Sequence, residues 1–123
     1  MNSDEFTYFI SERNFVSVVS LLGRLERPAL PIFPKILEDL SLRRPKMVIF
    51  NCHDLKDLDS CVMGAFAELF ACIGSMPAQV SLCFVTPELK ERLLTAKLIA
   101  PNQIHDNLFD AVGSFLGNMK KAS

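Results

Sequence analysis

The residues with the most chemistry to offer are Asp59, Ser60 and Cys61. They stand in a row between an apolar strand-like run, Met47 to Phe50, and an apolar helix-like run, Val62 to Ile73. An acid followed by a hydroxyl at such a crossing can do two things. It can cap the helix, because both side chains offer oxygens to the free N–H groups of the first turn. It can also hold a phosphate, because the same N–H groups and the helix dipole favour an anion there. The second use would make Ser60 a switch and not a catalyst. Asp59 can serve as the cap or as the group that holds a kinase-bound hydroxyl and its metal. Cys61 sits where a helix N-terminus lowers a thiol pKa, but the nearby acids Asp54, Asp57 and Asp59 oppose that.

Other reactive patterns are missing. Ser60 has no G-x-S-x-G elbow around it, and the chain has neither G-x-x-x-x-G-K-[ST] nor G-x-G-x-x-G. His53 and His105 have no nucleophile at a motif-like spacing, so surface or capping roles are expected for both. The four cysteines, Cys52, Cys61, Cys72 and Cys83, stand about ten residues apart with no C-x-x-C pair. That spacing argues against zinc. Cys72 and Cys83 lie in apolar runs and read as small core residues. We therefore expect reduced thiols in a cytoplasmic, non-enzymatic protein without metal or cofactor.

The elements that must position these groups can be read from periodicity. Phe6 to Ile10 and Phe15 to Leu22 read as two strands of a hairpin turned by Ser11 to Asn14, with Gly23 ending the second. A loop carries Glu26. Leu30, Phe33, Ile36, Leu37 and Leu40 have helical spacing, and Pro31 and Pro34 place the start of the regular helix near one of them. Lys46 to Asn51 is a strand covered on both faces. The next helix carries Val62, Phe66, Leu69 and Ile73 as its packing row. Its opposite side shows Gly64, Glu68, Ala71 and Ser75, nearly all small, which suits either a docking face or burial under a neighbouring element. Val80 to Val85 is a strand, and Thr86-Pro87-Glu88 starts a helix bearing Leu89, Leu93 and Leu94. Pro101 to His105 is a connector with room for one short strand. Asn107 and Asp110, at capping-box spacing, start a last helix with Leu108, Val112, Phe115 and Leu116. Met119 to Ser123 are expected to fray. The order is α/β: a leading hairpin, a mixed but mostly parallel sheet, and about four helices.

The chain has 123 residues, half of them hydrophobic, with a formal net charge of −1. One domain spanning 1–123, with its core at about 6–116, fits that length. No basic excess is available to neutralise a row of phosphates, so nucleic-acid binding is disfavoured. The acidic N-terminus lacks a signal-peptide pattern, and the longest apolar-rich run, broken by Glu68, is too short to enter and span a bilayer.

Several of these pieces, in this order, resemble the STAS domain family. Leu22-Gly23-Arg24-Leu25-Glu26 is similar to its G-x-L-D turn, and Val48-Ile49-Phe50-Asn51 to its central strand. Leu58-Asp59-Ser60-Cys61-Val62-Met63-Gly64 is similar to its D-S-[ST]-G-x-G motif. Pro87-Glu88-Leu89 through Leu93-Leu94 resembles its third helix, and Ile104 to Val112 its last strand and helix. The resemblance implies a non-catalytic, anti-sigma factor antagonist-like binding module. Its partners would be an anti-sigma factor that is also a serine kinase, and a serine phosphatase. It implies phosphorylation of Ser60, with Glu26 and Asp59 as the neighbouring acids in docking and phosphorylation. Cys61 beside them, and Gly64 and Glu68 on the small-residue side of the helix, complete the expected partner contacts. The resemblance also allows a scaffold subunit that binds other STAS proteins or a transporter ATPase, without phosphorylation. Three positions depart from the pattern: Val62 for a Gly, Glu26 for an Asp, and Lys97 where a Gly often ends the third helix.

Overall fold

Two strands, β1 (Thr7–Arg13) and β2 (Val16–Leu25), open the fold as an antiparallel hairpin with Arg13 paired to Val16. The computed structural model describes residues 5–113, apart from the side chains of Asp57 and Leu58. The hairpin turn is Asn14-Phe15, both with positive φ (52° and 69°). This corrects the expected turn at 11–14 and the expected strand start at Phe15. A two-residue turn with both residues left-handed matches the twist of the flanking strands, so β1 runs three residues further than its apolar run suggests. Gly23 does not end β2 either. It lies inside the strand at φ 97°, which only glycine adopts without strain, and the ladder to the next strand is irregular around it.

A 3₁₀ turn (Arg27–Ile32) leads into α1 (Phe33–Arg43). Pro31 falls in the turn and Pro34 in the first turn of α1, where a missing N–H costs little. β3 (Met47–Leu58) follows, then a 3₁₀ turn (Ser60–Val62) continuous with α2 (Met63–Gly74), β4 (Gln79–Cys83), α3 (Pro87–Thr95) and a two-residue β5 (Ile104–His105). β3 extends well past the expected end at Asn51. Its charged half, beyond Asn51, pairs with Leu22 to Leu25 of β2. β4 stops at Cys83, two residues short of the expected Val85, because Phe84 turns left-handed (φ 58°). A last helix, α4, begins at residue 108 and is described to 113; Phe115, Leu116 and the stretch 119–123 lie outside the described residues. As expected, Asn107 Oδ1 accepts from the Asp110 N–H at 2.8 Å and Thr86 Oγ1 from the Leu89 N–H at 3.2 Å.

The strands lie in the order β1-β2-β3-β4-β5, with β2 to β5 parallel. Crossovers that each step one strand along put α1, α2 and α3 on one face. There Ile36 and Leu40, Phe66 and Ile73, and Leu89 and Leu93 close over Val19, Leu21, Val48, Phe50 and Leu82. α4 covers the other face, where Ala111, Leu108 and Val112 meet Met47, Ile49 and Cys83. β3 and β4 are therefore covered on both sides, which is why they read as unbroken apolar runs. Phe66 is the centre of an aromatic stack, 5.1 Å from Phe33 and 5.5 Å from Phe70, which in turn lies 5.7 Å from Phe50. The Tyr8 hydroxyl donates to Asp39, and Arg43 meets Glu12 at 3.2 Å, so α1 is tied to β1 by polar groups as well. Burial and the Asp39 bond push the Tyr8 hydroxyl up to about 12.

The departure at Lys97 leaves the helix end intact. Lys97 takes the left-handed conformation (φ 59°) itself. The N–H groups of Leu98 and Lys97 then bond the carbonyls of Leu93 and Leu94 at 3.0 and 3.1 Å, the paired bonds of a Schellman ending. The fold needs that backbone shape there and holds a lysine in it.

Candidate functional site

The parallel pairing of β2 and β3 builds the site. Leu25 is the register partner of Leu58, and the Asp59 N–H bonds the Leu25 carbonyl at 2.9 Å. The chain leaving β3 is thereby fixed beside the chain leaving β2. Asp59 has extended backbone (φ −98°, ψ 136°), and its Oδ1 accepts from the Cys61 N–H at 3.1 Å. This is an N-cap, and it launches the 3₁₀ turn that becomes α2. Val62 is fully buried and anchors the turn from below, so the residue that replaces the motif glycine faces the core.

Ser60 is exposed at the start of this turn, and Cys61 beside it is half-buried. The bonds from Cys61, backbone first and then thiol, hold the Asp59 carboxyl below the usual range, and the charges of Arg27 and Arg92 add to this. The Cys61 thiol goes the other way. Burial and then the bond and charge of Asp59 push it up, against Arg27, so it is a protonated donor and not a thiolate nucleophile. Burial likewise pushes Cys83 up to about 11 and Cys52 higher still. All four thiols are free; Cys72, expected in the core, is only half-buried.

Glu26 follows Leu25 directly, at the same edge as Asp59, and its carboxylate lies 3.8 Å from Arg24. Gly64 and Glu68 are exposed on α2, together with Ala71 and Ser75. Among the described residues no element covers that side, which favours the docking face of the two uses considered for it. A Cβ added at Gly64 would meet nothing within 4 Å. Beside this face, α1 and α2 leave a groove of about 290 Å³ between Leu30, Phe33 and Leu37 and Ala65, Glu68 and Leu69. Leu30 and Leu37, members of the helical spacing, line this groove half-buried.

His53 is exposed, with Nδ1 3.1 Å from Asp54 and its ring edge-on to Phe84 at 5.2 Å. His105, expected at the surface or in a cap, is half-buried, and its Nε2 has no hydrogen-bond partner among the described residues. No three His, Cys, Asp or Glu side chains stand together as a metal would require, among the described residues.

Arg27 and Arg92 were not singled out by the sequence. They reach the site from the turn after β2 and from α3, and Arg92 also meets Glu88 at 3.3 Å. Only the meeting of these two elements at one sheet edge brings them to Asp59.

Solved structures share this fold. An anti-sigma factor antagonist from Mycobacterium paratuberculosis superposes with a TM-score of 0.75 at 17% identity, over 92% of this chain and 96% of that one. The Bacillus cell fate determinant SpoIIAA in its phosphorylated form matches with a TM-score of 0.70 at 17% identity, over 89% and 99% of the two chains. The chain has the STAS fold. A sulfate transporter family protein from Wolinella succinogenes shares it too, with a TM-score of 0.71 at 16% identity, over 83% of this chain and 85% of that one. No protein-family model matches the sequence, and no curated protein does. At such identities the STAS likeness rests on backbone and topology.

The cap makes a pH prediction. A carboxyl held below its unfolded value stabilises the fold above about pH 4, and loses that contribution as pH falls through the lower folded value. Asp59→Ala should therefore lower Tm at neutral pH, and the gap to the parent should close on acidification below about pH 4. Thermal melts of both proteins across that range check this; a gap that is constant with pH would contradict it.

Proposed function

We propose that this chain is a protein-binding regulator of the anti-sigma factor antagonist type, in which phosphorylation of Ser60 governs partner binding. The observation that carries the reading is an exposed hydroxyl at the capped start of α2, next to an uncovered helix face of small residues. A partner kinase can reach the hydroxyl without unfolding anything. Phosphate there gains from the N-terminus of α2 and from the charges of Arg27 and Arg92, so the free domain tolerates it. A partner packed tightly against Ser60 would not, because the contact would have to take up nearly two negative charges. In this reading Glu26, Asp59 and Cys61 rim the acceptor, Gly64 and Glu68 belong to the docking face, an anti-sigma kinase is the partner, and a serine phosphatase resets the switch in the cytoplasm. No residue acts as a catalyst.

Gly64 gives the test of the docking face. Gly64→Trp adds bulk where the free domain has open space, so Tm should hold or rise. Affinity for the partner kinase should fall by roughly a hundredfold, as expected when a tightly packed centre is blocked. Unchanged affinity would remove the face from the interface.

A second reading has one observation in its favour. The exposed side of α2 carries a single charge, Glu68, which suits a permanent protein contact, and the sulfate transporter family neighbour shows the same fold in another setting. A scaffold or subunit bound to other STAS chains, or to a transporter ATPase, would use that face without phosphorylation. Stable co-elution with such a partner, unaffected by Ser60→Asp, would select it.

A further inference from the structure

We propose that the end of the domain remote from Ser60 is a peripheral docking surface for an anionic lipid bilayer, with Phe15 and Leu42 as apolar anchors and Arg13, Arg43, Arg44 and Lys46 as headgroup contacts. The hairpin turn and the link from α1 to β3 meet there. Lys46 and Met47 N–H groups bond the Phe15 carbonyl at 2.8 and 3.3 Å, and Lys46 Nζ lies 5.0 Å over the Phe15 ring. Arg13 precedes the turn, while Leu42, Arg43 and Arg44 close α1, and all of these side chains are exposed. β2 and β3 separate this end from Ser60 by roughly 30 Å, the rise of ten residues.

Phe15 is the informative residue. The second place of a two-residue hairpin turn favours glycine, and a bulky residue at φ 69° is strained. Core packing does not account for it, since Phe15 is 60% exposed. Strain held at an exposed aromatic points to a use outside the fold. Leu42, 79% exposed, projects from the neighbouring helix end. Both positions are exposed, at a turn tip and a helix terminus, which suits insertion among headgroups better than filling a preformed pocket.

The charge around them selects an anionic surface. Among the described residues four cations stand at this end. The acids facing it are Glu12, already paired with Arg43 at 3.2 Å, Asp39, which accepts from Tyr8, and Glu38, one turn before Leu42. Basic side chains interleaved with exposed apolar ones bind anionic interfaces by combined electrostatics and burial. Such association needs no spanning segment, and among the described residues no helix is long and apolar enough to cross a membrane.

Co-sedimentation of the full chain with vesicles tests this. Binding is expected to vesicles of mixed phosphatidylglycerol and phosphatidylcholine, not to phosphatidylcholine alone, and it should weaken as salt is raised. Phe15→Gly should raise Tm, because the turn relaxes, while lowering vesicle affinity by roughly tenfold. Leu42→Ser should also lower it, and Arg44→Glu combined with Lys46→Glu should abolish it. Ser60→Asp should leave it unchanged, which separates this surface from the switch. No binding to the anionic vesicles, equal binding to both lipids, or full binding by Phe15→Gly would overturn the proposal. So would binding to soluble polyglutamate but not to vesicles, which would assign the surface to an acidic protein.

Discussion

Ser60→Asp is expected to weaken binding of the partner kinase by several hundredfold, about 3–4 kcal/mol, while Ser60→Ala binds within a few-fold of the parent. The asymmetry follows from the site. The hydroxyl is exposed and makes no hydrogen bond among the described residues; the cap belongs to Asp59, through the Cys61 N–H. Removing the hydroxyl therefore leaves the turn, the cap and α2 in place. Adding negative charge puts a second anion beside Asp59. In the free domain Arg27, Arg92, the helix N-terminus and water all answer it. In a complex the water is gone, and a contact packed around a neutral hydroxyl must bury an uncompensated charge. The loss should fall mainly on the dissociation rate, as it does for a buried pair and not a rim charge. Surface-plasmon or calorimetric affinities of the three proteins check this. Both variants should keep the parent Tm closely, because the effect lives at the interface.

Phe66→Ala should do the reverse and destroy the platform. Phe66 is fully buried between Phe33 of α1 and Phe70 of its own helix. Truncation removes a ring that two aromatic partners pack against, and the cavity collapses poorly because the sheet fixes one wall. The expected loss is about 3–5 kcal/mol, a large share of the 5–15 kcal/mol that holds a domain of this kind together. Tm should fall by roughly 10–25 °C. Since α2 carries Ser60, Gly64 and Glu68, partner binding should fail with it at physiological temperature and return on cooling. Denaturant titration measures the loss; a value below about 1 kcal/mol would mean that the stack is not the keystone between α1 and α2.

The hydrophobic periodicity carried most of the architecture. Val62, Phe66, Leu69 and Ile73 face the core as their spacing requires, and Gly64, Glu68, Ala71 and Ser75 face outward. Caps were legible for the same reason: Thr86 and Asn107 are short polar groups directly before helical runs. The misses share a physical cause, which is that they depend on contacts distant in sequence. His53 to Leu58 look like a loop because they are polar and charged, yet they continue β3 because β2 offers free backbone partners as far as Leu25. Phe15, Phe84 and Lys97 take left-handed backbone that none of those residue types advertises. Arg27 and Arg92 converge on Asp59 only once the sheet edge and α3 are assembled. The site was thus readable as a pair, Asp59 and Ser60, but its surrounding charges were not.

The account turns on Ser60 being the residue that a partner kinase modifies. Incubating the chain with that kinase, ATP and Mg²⁺, then mapping the modified peptide and melting the product, tests it most directly. The expected result is one added phosphate on Ser60, none on Ser60→Ala, and a Tm close to that of the unmodified domain. An unmodified chain under an active kinase, or phosphate on another residue, would contradict it.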